Sequence, residues 1–124
     1  MSIEPVFSRL EAHPKGWGDE LWITNNEKYC GKILRFNKGA SFSMHYHIQK
    51  EETWCVTRGK LKFEYFDLGK AERLERFLEE GDVVHLKPCT PHKLTALEDS
   101  TIFEISTQHF SEDSYRVEKG SSQE

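Results

Sequence analysis

The sequence predicts an all-β domain of the sandwich or barrel type. Short runs rich in β-branched and aromatic residues recur along the whole chain. Compact turn signals separate them, with neither an internal repeat nor a linker between. The length of 124 residues suits one domain and suffices for a real core without covalent staples.

Strands are expected at 20–24, 31–36, 53–57, 61–66, 82–86 and 101–106. Asn37-Lys38-Gly39, Arg58-Gly59-Lys60 and Glu79-Glu80-Gly81 supply turns. Segment 72–78 places Leu74, Phe77 and Leu78 at helical spacing, with Glu and Arg between them. Its position at hairpin distance between two strands favours an extended reading. Residues 1–13 are expected as an amino-terminal arm or edge strand, 14–118 as the domain proper and 119–124 as a disordered tail.

Composition narrows the function classes. The 17 basic and 21 acidic side chains give a net charge of −4, and no basic stretch marks a nucleic-acid partner. There is no apolar run near the ~18 residues that would span a bilayer, so no membrane partner is expected. Residues 1–10 lack a signal-peptide core. Three cysteines at irregular spacing do not make a disulfide framework, and a reducing cytoplasm is the expected home.

The informative stretch is 39–59, Gly-Ala-Ser-Phe-Ser-Met-His-Tyr-His-Ile-Gln-Lys-Glu-Glu-Thr-Trp-Cys-Val-Thr-Arg-Gly. In an extended segment His45 and His47 point to one face. A short turn brings Glu52 back beside them on the next strand. Two imidazoles and a carboxylate suit a first-row divalent ion, and His92 in Pro88-Cys89-Thr90-Pro91-His92 offers a fourth ligand. A lone His-x-His is usually a solvated strand face; the flanking glycines, Glu52 and the distant Pro-His together point to metal. His13, His85 and His109 lack such partners and read as surface or half-buried histidines.

The spacing Gly, five residues, His-x-His, four residues, Glu, six residues, Gly resembles the first cupin motif with every fixed position present. Residues 81–92 resemble the second motif. Cys89 replaces its usual glycine, Lys87 its usual proline, and Ala96 its terminal Asn. The two motifs cover 39–96 and imply a cupin double-stranded β-helix, a small jelly-roll barrel holding the metal inside. Segments 14–20, 52–56, 103–106 and 112–118 are similar to the small cupins related to type II phosphomannose isomerases. That group includes the domain following mannose-1-phosphate guanylyltransferases. The likeness implies aldose–ketose isomerisation of a phosphosugar, mannose 6-phosphate to fructose 6-phosphate being the type reaction.

Such a reaction moves a proton between neighbouring carbons, so it needs Lewis-acid stabilisation and a base. Four protein ligands leave two adjacent positions on an octahedral ion, which suits Mn, Fe, Co or Ni, or an expanded Zn. Candidate bases are a hydroxide on the ion, Glu51 and Glu104. Glu51 is expected to face water, and Glu104, alternating with Phe103 and Ile105, to lie on the face away from the core. Arg116 matches the arginine of the group's carboxy-terminal motif and is the first candidate for the phosphate, ahead of Arg35, Lys15 and Lys93. Cys89, three residues before a ligand, is read as an inert turn residue or a reactive thiol.

Two other readings compete: a non-catalytic sugar-binding or regulatory cupin that uses the same metal site, and an Fe(II) dioxygenase. Strand alternation also has a quaternary consequence. If Ser41, Ser43, His45 and His47 face inward, then Phe42, Met44, Tyr46 and Ile48 form an outer apolar stripe. The arm's Val6, Phe7 and Leu10 or a second subunit would cover it, and a homodimer with exchanged arms is expected.

Overall fold

Along each central strand the inward-facing residues change from apolar to polar at the same end of the molecule, and that change positions the site. The structure, a computed structural model, describes residues 3–124. Its strands are β1 (Glu11–Lys15), β2 (Gly18–Asn25), β3 (Cys30–Phe36), β4 (Met44–Tyr46), β5 (Glu52–Arg58), β6 (Lys60–Asp67), β7 (Glu72–Glu79), β8 (Val83–Leu86), β9 (His92–Ala96), β10 (Ser100–Ser106) and β11 (Tyr115–Glu118). A six-stranded sheet runs β1-β2-β3-β10-β5-β8 and faces a five-stranded sheet running β11-β4-β9-β6-β7. All paired neighbours are antiparallel. The expected jelly-roll architecture is what the chain forms.

Leu34, Ile102 and Val56 are aligned across β3, β10 and β5, and with Phe36, Leu61, Phe63, Leu94 and Trp54 they build the apolar end of the interior. One register step away the same stripe carries Lys32 and Glu104, both buried. Glu52 on β5 and His92 on β9 continue the polar end. The β5–β6 hairpin turns at Gly59 with φ +91, and an added Cβ would overlap the backbone of Asp99 and Ser100. Only glycine fits there.

Segment 72–78 is a strand. β7 pairs with β6 residue for residue from Lys60↔Glu79 to Asp67↔Glu72. The helical spacing is overridden because one turn of local periodicity competes with a full ladder of hydrogen bonds. Leu78 is buried while Phe77 faces out.

Three expectations are corrected. Phe42 and Met44 are not part of an outer stripe: both are buried, and only Ile48 of the four is exposed. β4 is three residues long and is preceded by an isolated bridge, Ser41↔Thr95, so strict alternation does not run through residues 41–43. Phe42 turns into the core beside Trp17 and Phe36, a burial worth about 2 kcal/mol. Tyr46 stacks on Tyr115. The stripe therefore gives no reason for a dimer.

The tail is also ordered. Ser121–Gln123 form a 3₁₀ turn, the Ser121 N–H donates to the Ser41 carbonyl at 2.7 Å, and the Ser122 hydroxyl accepts from the Gly16 N–H. Side-chain oxygens satisfy the backbone there, which a polar composition alone does not reveal. At the other terminus residues 3–10 form no strand. Ile3, Val6 and Phe7 are about nine-tenths exposed, so these side chains do not cover the body of the domain, and the edge strand is β1. Ser2 lies outside the described residues.

Candidate metal centre

His45 on β4 pairs directly with His92 on β9, and His47 follows β4 by one residue, so three imidazoles meet at the polar end of the barrel. One ring nitrogen from each lies within 4.8 Å of the other two. Each ring is fixed by its other nitrogen. The Nδ1–H of His45 donates to the Ser43 carbonyl at 2.6 Å, that of His47 to the Asp113 carbonyl at 2.6 Å, and that of His92 to the Thr90 carbonyl at 2.8 Å. These three bonds select the tautomer that leaves the Nε2 lone pair free. His92 Nε2 is buried and has no hydrogen-bond partner, which is costly unless a ligand takes the lone pair. The cluster fits a divalent metal ion.

Glu52 is near but shared. Its carboxylate oxygens lie 3.6 Å from His47 Nε2 and 4.0 Å from His92 Nε2, and also 3.4 Å from Lys50 Nζ. Lys50 is buried, and its ammonium also meets Glu104 at 2.9 Å. Burial alone would lower the Lys50 pKa; the charges of Glu104 and Glu52 outweigh it and push it up, so Lys50 stays charged. Lys32 pairs with Glu20 at 3.2 Å and sits 4.4 Å from the Trp22 ring centroid.

Glu104 therefore faces inward, and its expected outward placement is corrected. Glu104 shares the face of Ile102 and Ser106, whereas Ile105 is 55% exposed and Phe103 half-buried. Glu51 is exposed, on the water-facing side expected of it, and pairs there with His85 outside the barrel. Arg116, opposite His45 in the β11–β4 register, is exposed and lines the mouth of a cavity of about 520 Å³ that contains the three histidines, Lys50, Glu52 and Glu104. Lys15 lines that mouth as well. Arg35 is engaged with Asp19 in another hollow, and Lys93 approaches Glu118 at 4.0 Å.

Burial, then the neighbouring His92 and His47, pushes His45 down from 6.5 to about 3; burial does the same to His92, against the opposing Thr90 bond. Both rings are neutral and ready to ligate at neutral pH. A depressed base means the unfolded chain binds protons that the folded chain refuses between about pH 6.5 and 3. This contribution is complete above pH 6.5 and drains away as pH falls. The metal-free protein is expected to lose Tm steadily on acidification from pH 7 to 4; a flat profile would contradict the buried neutral state.

Residues 32–106, more than half of the chain, match the family model described as a cupin domain. The chain belongs to the cupin family. Among solved structures it is similar to CapF, a capsular polysaccharide assembling protein from Staphylococcus aureus, at 17% identity and a TM-score of 0.78, over 90% of this chain and 32% of that one. A CapF structure with the inhibitor 3-isopropenyl-tropolone matches at 18% identity and a TM-score of 0.76, over 88% and 34%. Oxalate decarboxylase from Bacillus subtilis matches at 17% identity and a TM-score of 0.76, over 87% and 30%. The chain thus spans about a third of the length of these proteins, and at such identities the likeness is one of fold. No curated protein matches the sequence. Among the described residues no helix is long and apolar enough to cross a membrane.

The cupin's second motif departs from the usual glycine at Cys89, and the backbone there keeps the glycine-like conformation, φ +70. The Cys89 N–H donates to the His47 carbonyl at 2.6 Å, so the turn ties the second motif to the first. Cys89 itself is exposed. Three buried contributors escape the sequence reading: Lys32, Lys50 and Asp113. Lys32 was detectable, because it shares strand parity with Leu34 and Phe36. Asp113 left no local signal; its carboxylate is satisfied by a loop more than sixty residues away.

Proposed function

We propose that this cupin is a metal-dependent aldose–ketose isomerase acting on a phosphorylated sugar. Fold alone does not choose among cupin activities, so the reading rests on the site. The observation that carries it is Glu104, a buried carboxylate facing the same cavity as the three histidines. A bound divalent ion would supply Lewis-acid stabilisation of the developing negative charge. His45, His47 and His92 would hold it, with Glu52 as a further ligand. Glu104 accepts the proton from the carbon beside the carbonyl and returns it to the former carbonyl carbon, while the neighbouring hydroxyl gives its proton to the former carbonyl oxygen. Lys50 keeps that carboxylate oriented, and Arg116 at the mouth contacts the phosphate.

The test is a screen of the metal-loaded protein against aldose phosphates for ketose formation. Glu104→Gln is expected to abolish turnover, a loss of 10²-fold or more, with metal content unchanged. Arg116→Ala is expected to weaken phosphosugars about tenfold and their unphosphorylated parents hardly at all. One observation favours a second reading, a non-catalytic sugar-binding cupin: Glu104 is already engaged by Lys50 at 2.9 Å. Sugar phosphate binding without any ketose, in wild type and Glu104→Gln alike, would select it.

A further inference from the structure

Two exposed apolar features of this chain suit each other and cannot meet within one molecule. The first is the arm. Ile3, Val6, Phe7 and Leu10 are 93, 93, 89 and 54% exposed. In an extended segment Ile3 and Phe7 fall on one face, and Val6 and Leu10 on the other. Apolar residues on both faces suit a cleft with two walls better than one open sheet surface.

The second feature is such a cleft. β7 ends the five-stranded sheet and β8 ends the six-stranded one, and among the described residues neither has a partner on its outer edge. Between them lies a hollow of about 550 Å³ whose apolar lining includes Phe66, Leu68, Phe77, Leu78, Val83 and Leu86. Phe77, Val83 and Leu68 are each more than 60% exposed. Free strand edges beside exposed apolar side chains are a template for an added strand.

The arm enters β1, at the opposite edge of the six-stranded sheet from β8. Crossing five strand spacings takes about 24 Å. Eight extended residues reach at most about 28 Å, so an arm that crossed its own sheet would have no length left to fill the cleft. We propose that residues 3–10 dock in the β7–β8 cleft of a second copy of this chain, each arm reaching the other's cleft. Reciprocal exchange closes a two-fold dimer and leaves no free arm. Pro5 has no N–H to donate, so its nitrogen faces away from the β8 edge. The dimer arises from this cleft and not from the stripe around Phe42.

Light scattering on the full chain at micromolar concentration should give a dimer mass. Phe7→Asp and Phe77→Asp should each give a folded monomer whose Tm is lowered only by the lost stabilisation of the dimer, since both side chains are exposed in the single chain. In a Cys89→Ser background, mixed Phe7→Cys and Phe77→Cys proteins should form a disulfide-linked pair on mild oxidation. A monomeric wild type, a dimer that survives Phe7→Asp, or a mixture that fails to cross-link would overturn the proposal.

Discussion

His45→Ala and His92→Ala are each expected to lower divalent-metal affinity more than a hundredfold, leaving the dialysed protein without a stoichiometric ion. The site gathers three neutral imidazoles whose Nδ1–H groups are all tied to backbone carbonyls. Weakening such an orienting bond typically costs 10- to 100-fold in affinity, and removing the ligand itself should cost more. Glu52→Ala is expected to cost less than either, because the Glu52 carboxylate is divided between the imidazoles and Lys50. Elemental analysis after dialysis reads all three. Full occupancy in both histidine variants would remove the metal from the barrel interior. A Glu52→Ala loss equal to theirs would place the carboxylate on a par with the imidazoles.

The histidines were legible because their spacing is short-range: His45 and His47 stand two residues apart, and β strands repeat every second residue. His92 required a second motif, and the β4–β9 register places it opposite His45. Glu104 was misassigned because β10 is apolar on both faces, with Ile102 inside and Phe103 and Ile105 outside. Alternation then gives no direction, and only the register with Lys32 and Trp54 fixes it. Phe42 was misassigned for a different reason. Alternation holds only over the three residues that are strand, and the path of the preceding segment is set by the carboxy-terminal turn at Ser121. β7 is a strand despite its helical spacing because its hairpin position gives it a full ladder with β6. Local periodicity located the strands, while long-range contacts decided which faces of some of them look inward.

The largest effect on stability is expected at Asp113. It is 2% exposed and lies in the connection that leads into β11. Its carboxylate accepts the backbone N–H groups of Ile48, Gln49 and Lys50, and its own carbonyl accepts the His47 Nδ1–H. One residue thus fixes the turn between the first-motif histidines and Glu52, and orients a ligand. Burial would raise its pKa from 3.8, but the three backbone donors outweigh burial and hold it lower. Hydrogen bonds to a charged group are worth about 1.5–3 kcal/mol each, and losing all of them leaves buried donors unpaired. Asp113→Ala should therefore destabilise the fold by about 3 kcal/mol or more, and weaken metal binding about 10- to 100-fold through His47. A depressed carboxyl contributes stability above its unfolded value that is lost as pH falls through the folded one. Asp113→Asn, an acceptor without the charge, should recover part of the stability but not this steepening near pH 4 and below. Thermal melts across pH, with metal titrations alongside, separate the two roles. An Asp113→Ala protein with wild-type Tm and wild-type metal affinity would show that neither the turn nor His47 depends on this carboxylate.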